Sequence, residues 1–175
     1  GYFWTERLVD TIGHAVSDDL VNWEVLPPAL SAQKGGHDDY QVWSPGIIEH
    51  EGTYYMFYTG VNFNIAQAAC LATSKDLTVW TRCPKNPVFI PGDWCGWSDD
   101  TWSDCRDSMV FKDDDGTFYM YYCTSVKSGG ARSLNAIGVA VSRDLVSWED
   151  RGAFTLKNVD HYAESPFVVK RNGVY

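Results

Sequence analysis

Two acidic residues stand just before apolar segments of the sequence. Asp107, preceded by Arg106, comes before residues 109–111, and Glu164 comes before residues 167–169. We expect both acids to occupy the same place in a repeated unit and to point into one channel. An acid that protonates a leaving oxygen, paired with a second carboxylate that manages charge, is the arrangement that glycoside hydrolysis uses.

The corresponding place one unit earlier holds Val42-Trp43-Ser44-Pro45 and contains no acid. The repeat itself therefore does not require a carboxylate there, which favours a functional role for Asp107 and Glu164. Trp43 and Ser44 share this place in the repeat, so we predict that they line the same pocket as substrate-binding residues.

The loop of residues 93–102 leads directly into this region and is rich in Trp and Asp. Indole rings stack on the apolar faces of sugars, and carboxylates accept hydrogen bonds from their hydroxyl groups, so the composition suits sugar binding. The alternative is that two of the three tryptophans pack between structural units. Trp102 is predicted to contact the substrate.

A seven-position pattern, Ser-x-Asp-Leu-x-x-Trp, occurs three times, at residues 17–23, 74–80 and 142–148. The spacing of the copies is irregular but close to that of propeller blades rather than of short solenoid repeats. The Ser and Asp side chains can cap backbone N–H groups, while Leu and Trp are predicted to bury apolar area between neighbouring sheets. The pattern therefore indicates structural turns in an array of one repeated unit.

A second pattern predicts a β-hairpin in each unit: an apolar run, a turn ending in Gly, and an aromatic run. The turns are Glu51-Gly52, Asp115-Gly116 and Asn172-Gly173, where Gly suits the positive φ of tight hairpins. A third strand precedes each Ser-x-Asp turn, and an outer strand follows it. Four antiparallel strands per unit are typical of a propeller blade, so the sequence predicts an all-β propeller.

The two patterns divide the chain into blades. Residues 1–41 are predicted to end a first blade, residues 42–104 and 105–163 to form two complete blades, and residues 164–175 to begin a fourth. Because a propeller needs about four to eight blades to remove its open edges, we expect the chain to be a fragment of one catalytic domain.

The composition excludes several classes of partner. The net charge is -9, and acidic surface repels phosphates, which argues against nucleic acid. No apolar run approaches the roughly 20 residues of a membrane span, so no membrane contact is predicted. The five cysteines include no Cys-x-x-Cys pair, and neither a metal site nor a cofactor is predicted. Cys95 and Cys105 are either bridged or free thiols, and the sequence does not distinguish a secreted from a cytoplasmic protein.

Several segments resemble a known enzyme superfamily. Residues 12–24, together with Leu-Pro-Pro-Ala-Leu at 26–30, resemble the first blade of family 32 glycoside hydrolases, the invertases, levanases and inulinases. Arg106-Asp107 resembles the Arg-Asp-Pro motif of that family. Glu164-Ser165-Pro166 resembles the Glu-Cys-Pro or Glu-x-Pro motif of family 32 and of its sister family 43, the arabinanases and xylosidases. The resemblance covers nearly the whole chain and implies a five-bladed β-propeller.

The resemblance also implies a site of three carboxylates. Glu164 would be the general acid, Asp107 would stabilise the oxocarbenium-like transition state, and Arg106 would hydrogen-bond the sugar. The third carboxylate is an Asp of the first blade, the nucleophile in family 32 and the general base in family 43, and we expect it before residue 1. The implied substrate is an oligosaccharide or polysaccharide.

Two departures divide the resemblance between the families. Ser108 replaces the usual Pro after Asp107, and Trp43-Ser44-Pro45-Gly46 is closer to the Trp-Ala-Pro pattern of family 43 than to the Ser-Gly of invertases. The first-blade segment favours a family 32-like enzyme acting on fructan or sucrose, with a family 43-like arabinanase or xylosidase as the alternative. A propeller that binds glycans without cleaving them is an alternative from another class.

Overall fold

The computed structural model describes residues 9–128, 131–154 and 163–175. Residues 1–8 and 155–162, in the predicted first and third blades, lie outside the described residues. The regular elements that it describes are ten β-strands: β1 (Thr11–Val16), β2 (Glu24–Ser31), β3 (Gln41–His50), β4 (Thr53–Val61), β5 (Gln67–Ser74), β6 (Thr81–Arg82), β7 (Arg106–Lys112), β8 (Phe118–Ser128), β9 (Ala131–Ser142) and β10 (Glu149–Phe154). This part of the chain contains no helix long and apolar enough to cross a membrane.

The strands form three antiparallel sheets in which each strand pairs with the next along the chain. β1 and β2 form a two-stranded sheet, and β3 to β6 and β7 to β10 form two four-stranded sheets. The aromatic and β-branched residues of β4 and β8 suit the pleated conformation. This order is that of a propeller blade, so the predicted all-β fold with four strands per unit is confirmed. The exact residue boundaries of the blades stay predictions.

The Ser-x-Asp turns join the third strand to the outer strand of each sheet. In the third copy, the hydroxyl oxygen of Ser142 accepts hydrogen bonds from the N–H groups of Asp144 (3.1 Å) and Leu145 (2.9 Å). Asp144 Oδ1 accepts those of Val146 (2.9 Å) and Ser147 (2.6 Å). The Asp residues of the other two copies accept the equivalent pairs of bonds, which confirms the predicted capping role.

Two hydrophobic clusters lie between neighbouring sheets. One joins the second and third sheets and includes Phe57 and Tyr122, and the other joins the first and second sheets and includes Ile12 and Met56. The ring of Trp148 packs edge-on against Phe57, with 5.5 Å between the centroids. A tryptophan of a Ser-x-Asp turn therefore packs against the preceding sheet, as predicted.

The burial of the turn residues differs between copies. Leu145 of the third copy is completely buried, whereas Leu20 and Trp23 of the first copy are 78% and 56% exposed. Leu77 of the second copy is 37% exposed, so among the described residues the predicted burial of this Leu between sheets is complete only in the third copy. Among the described residues, the sheet of β1 and β2 has a single neighbouring sheet, which packs against its other residues.

The second and third sheets approach each other closely where Gly46 on β3 faces β7. A Cβ atom at this position would lie 2.5 Å from the carbonyl oxygen of Ser108, so a larger residue would push the sheets apart. The contact sets the first strands of the two sheets side by side. Residues at the beginnings of β3 and β7 consequently share one end of the molecule.

Residues 163–175 contain the third of the predicted Gly turns. The predicted hairpin is present as a turn at Asn172-Gly173, closed by two hydrogen bonds between the backbones of Arg171 and Val174 (2.8 and 3.1 Å). Lys170 anchors this turn through an ion pair with Asp113 at 2.5 Å. The turn therefore packs against the third sheet.

Candidate active site

The first strands of the second and third sheets begin with a β-bulge. The pairing register shifts between residues 43 and 46 on β3 and between residues 106 and 109 on β7. Within these shifts Ser44 has a φ of 37° and Asp107 a φ of 56°. A bulge bends its strand and re-aims the side chains around it, and left-handed φ values of non-glycine residues occur preferentially at functional sites.

A third copy of this conformation lies at Ser165, whose φ is 50°. Ser165 precedes the turn residue Asn172 by the same number of residues as Ser44 precedes Glu51, and both turn residues also have left-handed φ values. Ser165 therefore corresponds to Ser44 and, through the shared bulge, to Asp107.

This correspondence corrects the predicted alignment of the two acids. If Ser165 matches Asp107, then Glu164 matches Arg106 and Trp43, one residue before the bulge position. The prediction that Asp107 and Glu164 occupy the same place in the repeat is wrong by one residue. Because successive residues of a strand point to opposite faces, this offset decides which groups meet.

Arg106 and Glu164 meet directly. Arg106 Nη2 donates a hydrogen bond to Glu164 Oε1 at 2.8 Å. The Arg106 side chain is 15% exposed and that of Glu164 is 56% exposed, so the pair lies at the mouth of the site with the carboxylate on the open side. Among the described residues, the second oxygen of Glu164 has no protein donor and is available to a ligand.

The guanidinium group of Arg106 is fixed from its other side. Its Nη1 donates hydrogen bonds to Asp104 Oδ1 at 2.6 Å and to Oε1 of the buried Gln67 at 3.3 Å. Burial alone would lower the pKa of Arg106, but the hydrogen bond to Glu164 and the charge of Asp104 outweigh it and raise that pKa. Arg106 is therefore a permanent cation in a fixed orientation.

Asp107 is held by three donors on one oxygen. Its Oδ2 accepts the N–H of Ser165 at 3.2 Å, the hydroxyl of Ser165 at 3.4 Å and the thiol of Cys123 at 3.6 Å. The backbone N–H of Asp107 donates to Thr59 Oγ1 at 3.2 Å. The orientation of this carboxylate consequently depends on the second sheet, the third sheet and the segment after Glu164.

Cys123 remains a thiol, and hence a donor, at neutral pH. Burial, followed by the charge of Asp107, raises the pKa of Cys123 to about 12. All five cysteines are free thiols in this structure, including Cys95 and Cys105.

Trp102 is linked to Arg106 through Asp104. Its indole Nε1 donates to Asp104 Oδ1 at 3.1 Å, and its ring is 52% exposed. The other two tryptophans of the loop are used for structure: Trp94 Nε1 donates to Asp150 at 2.7 Å and Trp97 Nε1 to the carbonyl of Gln67 at 2.7 Å. The alternative that two of the three tryptophans pack between units describes Trp94 and Trp97, and Trp102 is left free to contact a ligand.

Trp43 and Ser44 lie at the start of β3, next to this group. The indole Nε1 of Trp43 donates to Gln41 Oε1 at 2.9 Å, and Ser44 is exposed. The strand partner of Trp43 is Thr59, the residue that accepts the Asp107 N–H. Trp43 and Asp107 are therefore both neighbours of Thr59 on β4. Among the described residues, neither Trp43 nor Ser44 has a hydrogen bond to Asp107 or Glu164.

The sequence pointed to Arg106, Asp107 and Glu164 but missed the residues that hold them. Asp104, Gln67 and Cys123 lie on other strands or loops and carry no repeated pattern. Only Asp104 had a usable signal, since it is an acid two residues before Arg106 in the sequence. The described residues contain no group of three or more His, Cys, Asp and Glu side chains arranged to hold a metal ion.

The geometry assembles two carboxylates and a cation at one end of two neighbouring sheets. One carboxylate is exposed and paired with a guanidinium, and the other is oriented by three donors. Such a group can hydrogen-bond several sugar hydroxyls and supply a carboxyl group to a glycosidic oxygen.

The sequence model of the Glycosyl hydrolases family 32 N-terminal domain matches residues 10–170. The chain belongs to glycosyl hydrolase family 32. Among curated proteins, this family 32 chain is 34% identical over 122 residues to sucrose:sucrose 1-fructosyltransferase of Festuca arundinacea, a match that covers 59% of the chain. The match covers 18% of that enzyme, so the chain spans about a fifth of the length of this relative.

Solved structures support the same assignment. The family 32 chain superimposes on fructan 1-exohydrolase IIa from Cichorium intybus with a TM-score of 0.67 and 28% identity, covering 81% of the chain and 26% of the exohydrolase. A thermostable family-43 glycoside hydrolase gives a TM-score of 0.72 at 23% identity, covering 95% of the chain and 55% of that enzyme, a likeness of fold alone. The chain is therefore part of a five-bladed β-propeller.

Proposed function

We propose that the full-length protein hydrolyses the glycosidic bond of β-fructofuranosides, with sucrose or fructan as substrate. The observation that carries the proposal is the ion pair between Arg106 and Glu164 beside the fixed carboxylate of Asp107, in a chain of family 32. The names of the relatives support the choice of sugar, since they are a sucrose-dependent fructosyltransferase and a fructan exohydrolase.

In this mechanism Glu164 is the general acid. Arg106 holds Oε1 of Glu164, so in the protonated, acid form of Glu164 the proton is carried on Oε2 and passes to the oxygen of the departing sugar as the bond to the fructosyl carbon breaks. In a retaining enzyme, the same carboxylate would then take a proton from the water that attacks the fructosyl intermediate. The family resemblance assigns the nucleophile to an Asp of the first blade.

Asp107 and Arg106 bind the fructosyl ring. Three donors occupy Oδ2 of Asp107, and Oδ1 has no donor in the described part of the chain, so it can accept hydrogen bonds from sugar hydroxyls. A fixed anion near the ring also favours the positive charge that develops in the oxocarbenium-like transition state. The exposed ring of Trp102 and the half-buried ring of Trp43 are expected to border the sugar, and Ser44 to donate a hydrogen bond to it.

The test is hydrolysis by the full-length protein, compared on sucrose, inulin, levan, an aryl arabinofuranoside and an aryl xyloside, with the released anomer followed by NMR. Release of fructose with retention of configuration is the expected result. Release of arabinose or xylose with inversion would instead assign a family 43-like activity. Binding of these sugars without turnover would establish a glycan-binding propeller and overturn the proposal.

A further inference from the structure

A second cleft opens beside the candidate active site. It is lined by Gly36, His37 and Asp39, by Asn62, Phe63 and Asn64 in the loop between β4 and β5, and by Asp99. Its volume is about 380 Å³, within the range of about 300 to 1,000 Å³ that is usual for small-molecule sites. None of the residues proposed above for the reaction lines it.

The walls of the cleft are held in place by hydrogen bonds. The side-chain amide of Asn62 donates to the carbonyl oxygen (2.9 Å) and Oδ1 (2.8 Å) of Asp99, and its oxygen accepts the N–H groups of Asn64 and Ala66, both at 3.0 Å. The ring of His37, with a side chain only 9% exposed, lies 3.1 Å from the carbonyl oxygen of Ala66 and 3.5 Å from Asp99. The cleft is therefore preformed, which reduces the entropy cost of binding.

The groups that remain open suit a sugar. Phe63 is 69% exposed, and its ring is supported by Tyr40, with 5.0 Å between the centroids. The Asp99 side chain is 67% exposed. In the wall of the cleft, Oδ1 of Asp39 is shielded from water and has no donor among the described residues, a costly arrangement that a small shift of the side chain towards a ligand hydroxyl would relieve. An aromatic face beside several acceptors matches a ring with one apolar face and a rim of hydroxyl donors.

The cleft is also close to Arg106. The backbone carbonyl of Ala66 contacts His37 in the cleft, and the side chain of the next residue, Gln67, accepts a hydrogen bond from Arg106. Consecutive Cα atoms are about 3.8 Å apart, so the cleft and the carboxylate site share a wall. Ser103 fastens the same wall, because its carbonyl accepts the N–H of Gln67 at 3.0 Å.

We propose that this cleft is an additional subsite that binds a sugar unit of an oligosaccharide whose terminal unit lies at Glu164. Phe63 stacks on the sugar ring, and the carboxylates of Asp39 and Asp99 accept bonds from its hydroxyls. The inference rests on the proposed function for its substrate class. It assigns a preference for chains longer than a disaccharide, because only a longer chain has a further sugar unit to place in the cleft.

The test compares Phe63→Ala with the wild-type full-length protein on sucrose and on a longer inulin oligosaccharide. The expected result is that the ratio of kcat/KM for the oligosaccharide to kcat/KM for sucrose falls about tenfold, mainly through KM. The matched control is Val79→Ala, another exposed apolar side chain, which lies in a turn at the opposite end of the same sheet and should leave the ratio unchanged. An unchanged ratio in Phe63→Ala, or equal losses on both substrates, would overturn the subsite.

Calorimetric titration of both proteins with the same oligosaccharide separates this inference from the proposed function. Weaker binding by Phe63→Ala than by wild type supports the subsite even if neither protein cleaves the sugar, in which case the proposed hydrolysis fails alone. Equal binding by both proteins overturns the subsite, whatever the activity.

Discussion

The two ends of the sheets hold carboxylates in opposite ways. At the turn end, Asp19, Asp76 and Asp144 accept hydrogen bonds from N–H groups two and three residues later in the chain, in the same geometry each time. At the bulge end, Asp107 and Glu164 are held by partners far away in sequence. The turn acids are satisfied locally, whereas the bulge acids depend on the tertiary structure.

This difference distinguishes the acids that stabilise the fold from the acids that are available to a ligand. An acid whose oxygens are occupied by its own turn stabilises that turn and has little capacity left for a ligand. An acid that is fixed by distant groups on one oxygen keeps the other oxygen available, and its position responds to the packing of several strands. An acid that recurs in every unit is therefore expected to stabilise a turn, and an acid that the repeat does not require is expected to bind a ligand.

The largest effect on activity is expected from a substitution of Glu164. Glu164→Gln in the full-length protein should lower kcat on sucrose or inulin by about 10² to 10⁴-fold, because a general acid is lost. The melting temperature should stay close to that of the wild type, since the side chain is more than half exposed. The matched control is Glu149→Gln, an exposed acid on the outer strand β10 that pairs with Arg151. Turnover by Glu164→Gln equal to that of the control would remove Glu164 from the mechanism.

Arg106→Lys should have the next largest effect. A lysine retains the positive charge but cannot bridge Asp104 and Glu164 with two separate N–H groups. We expect kcat/KM to fall on the order of 10²-fold, the loss typical of a misplaced catalytic group. The measurement is steady-state kinetics on the preferred substrate. Near-normal kinetics would mean that charge alone is sufficient and that the geometry of the guanidinium is not used.

Ser165→Ala tests the support of Asp107 more finely. The variant keeps the N–H donor to Asp107 and removes the hydroxyl donor, whose bond is long at 3.4 Å. A hydrogen bond at the weak end of the range contributes about 1 kcal/mol, so kcat/KM should fall about fivefold. Ser165→Cys restores a donor and should recover part of the loss. A failure of Cys to perform better than Ala would contradict the positioning role of the side chain.

Asp144→Asn probes the turn end and should have the smallest effect. Burial opposes ionisation of Asp144, but the N–H groups of Ser147 and Val146 outweigh it and lower its pKa from 3.8 to about 2. A lowered pKa in the folded state contributes stability that is present above about pH 4 and is lost as the pH falls towards 2. Asn keeps one acceptor and water screens the exposed site, so the variant should lose about 0.5 kcal/mol near neutral pH.

Urea unfolding at several pH values checks this expectation. The difference in free energy of unfolding between wild type and Asp144→Asn should shrink as the pH is lowered from 7 to about 2. Asp18→Asn, at an exposed acid beside Asp19 in the first turn, is the control. A difference that grew at low pH would contradict the assigned role, and catalytic activity should be the same in all three proteins.

Most of the fold could be predicted from the sequence because its signals are local. The Ser-x-Asp turns depend on side chains that bond to their own backbone, and the Gly turns depend on the φ values that glycine allows, so both are visible in a short segment. Leu20 and Trp23 are the exception. They match the pattern fully, yet their exposure is decided by which sheets lie beside them.

The sequence indicated the residue types of the candidate site but misaligned its two acids within the repeated unit. Arg106, Asp107 and Glu164 stood out because the repeat does not require them, and the structure brings Arg106 and Glu164 to 2.8 Å. The predicted alignment of the two acids failed because it was counted from the acids. Counting back from the Gly turns does not reveal the offset, because Asp107 and Glu164 each precede their turn residue by eight residues. The bulges and the left-handed φ values of Ser44, Asp107 and Ser165 give the alignment.

The sequence by itself determined the repeated sheet, its turns and the presence of two unrepeated acids, since these follow from contacts between residues close in the chain. The tertiary structure alone decided which groups meet. Gln67, Thr59 and Cys123 reach Arg106 and Asp107 across strands and sheets. A bulge adds one residue to a strand, which turns the side chains that follow to the opposite face of the sheet. Packing between the sheets sets the distances between the functional groups. Neither the direction of a side chain nor these distances can be read from the spacing of residues in the sequence.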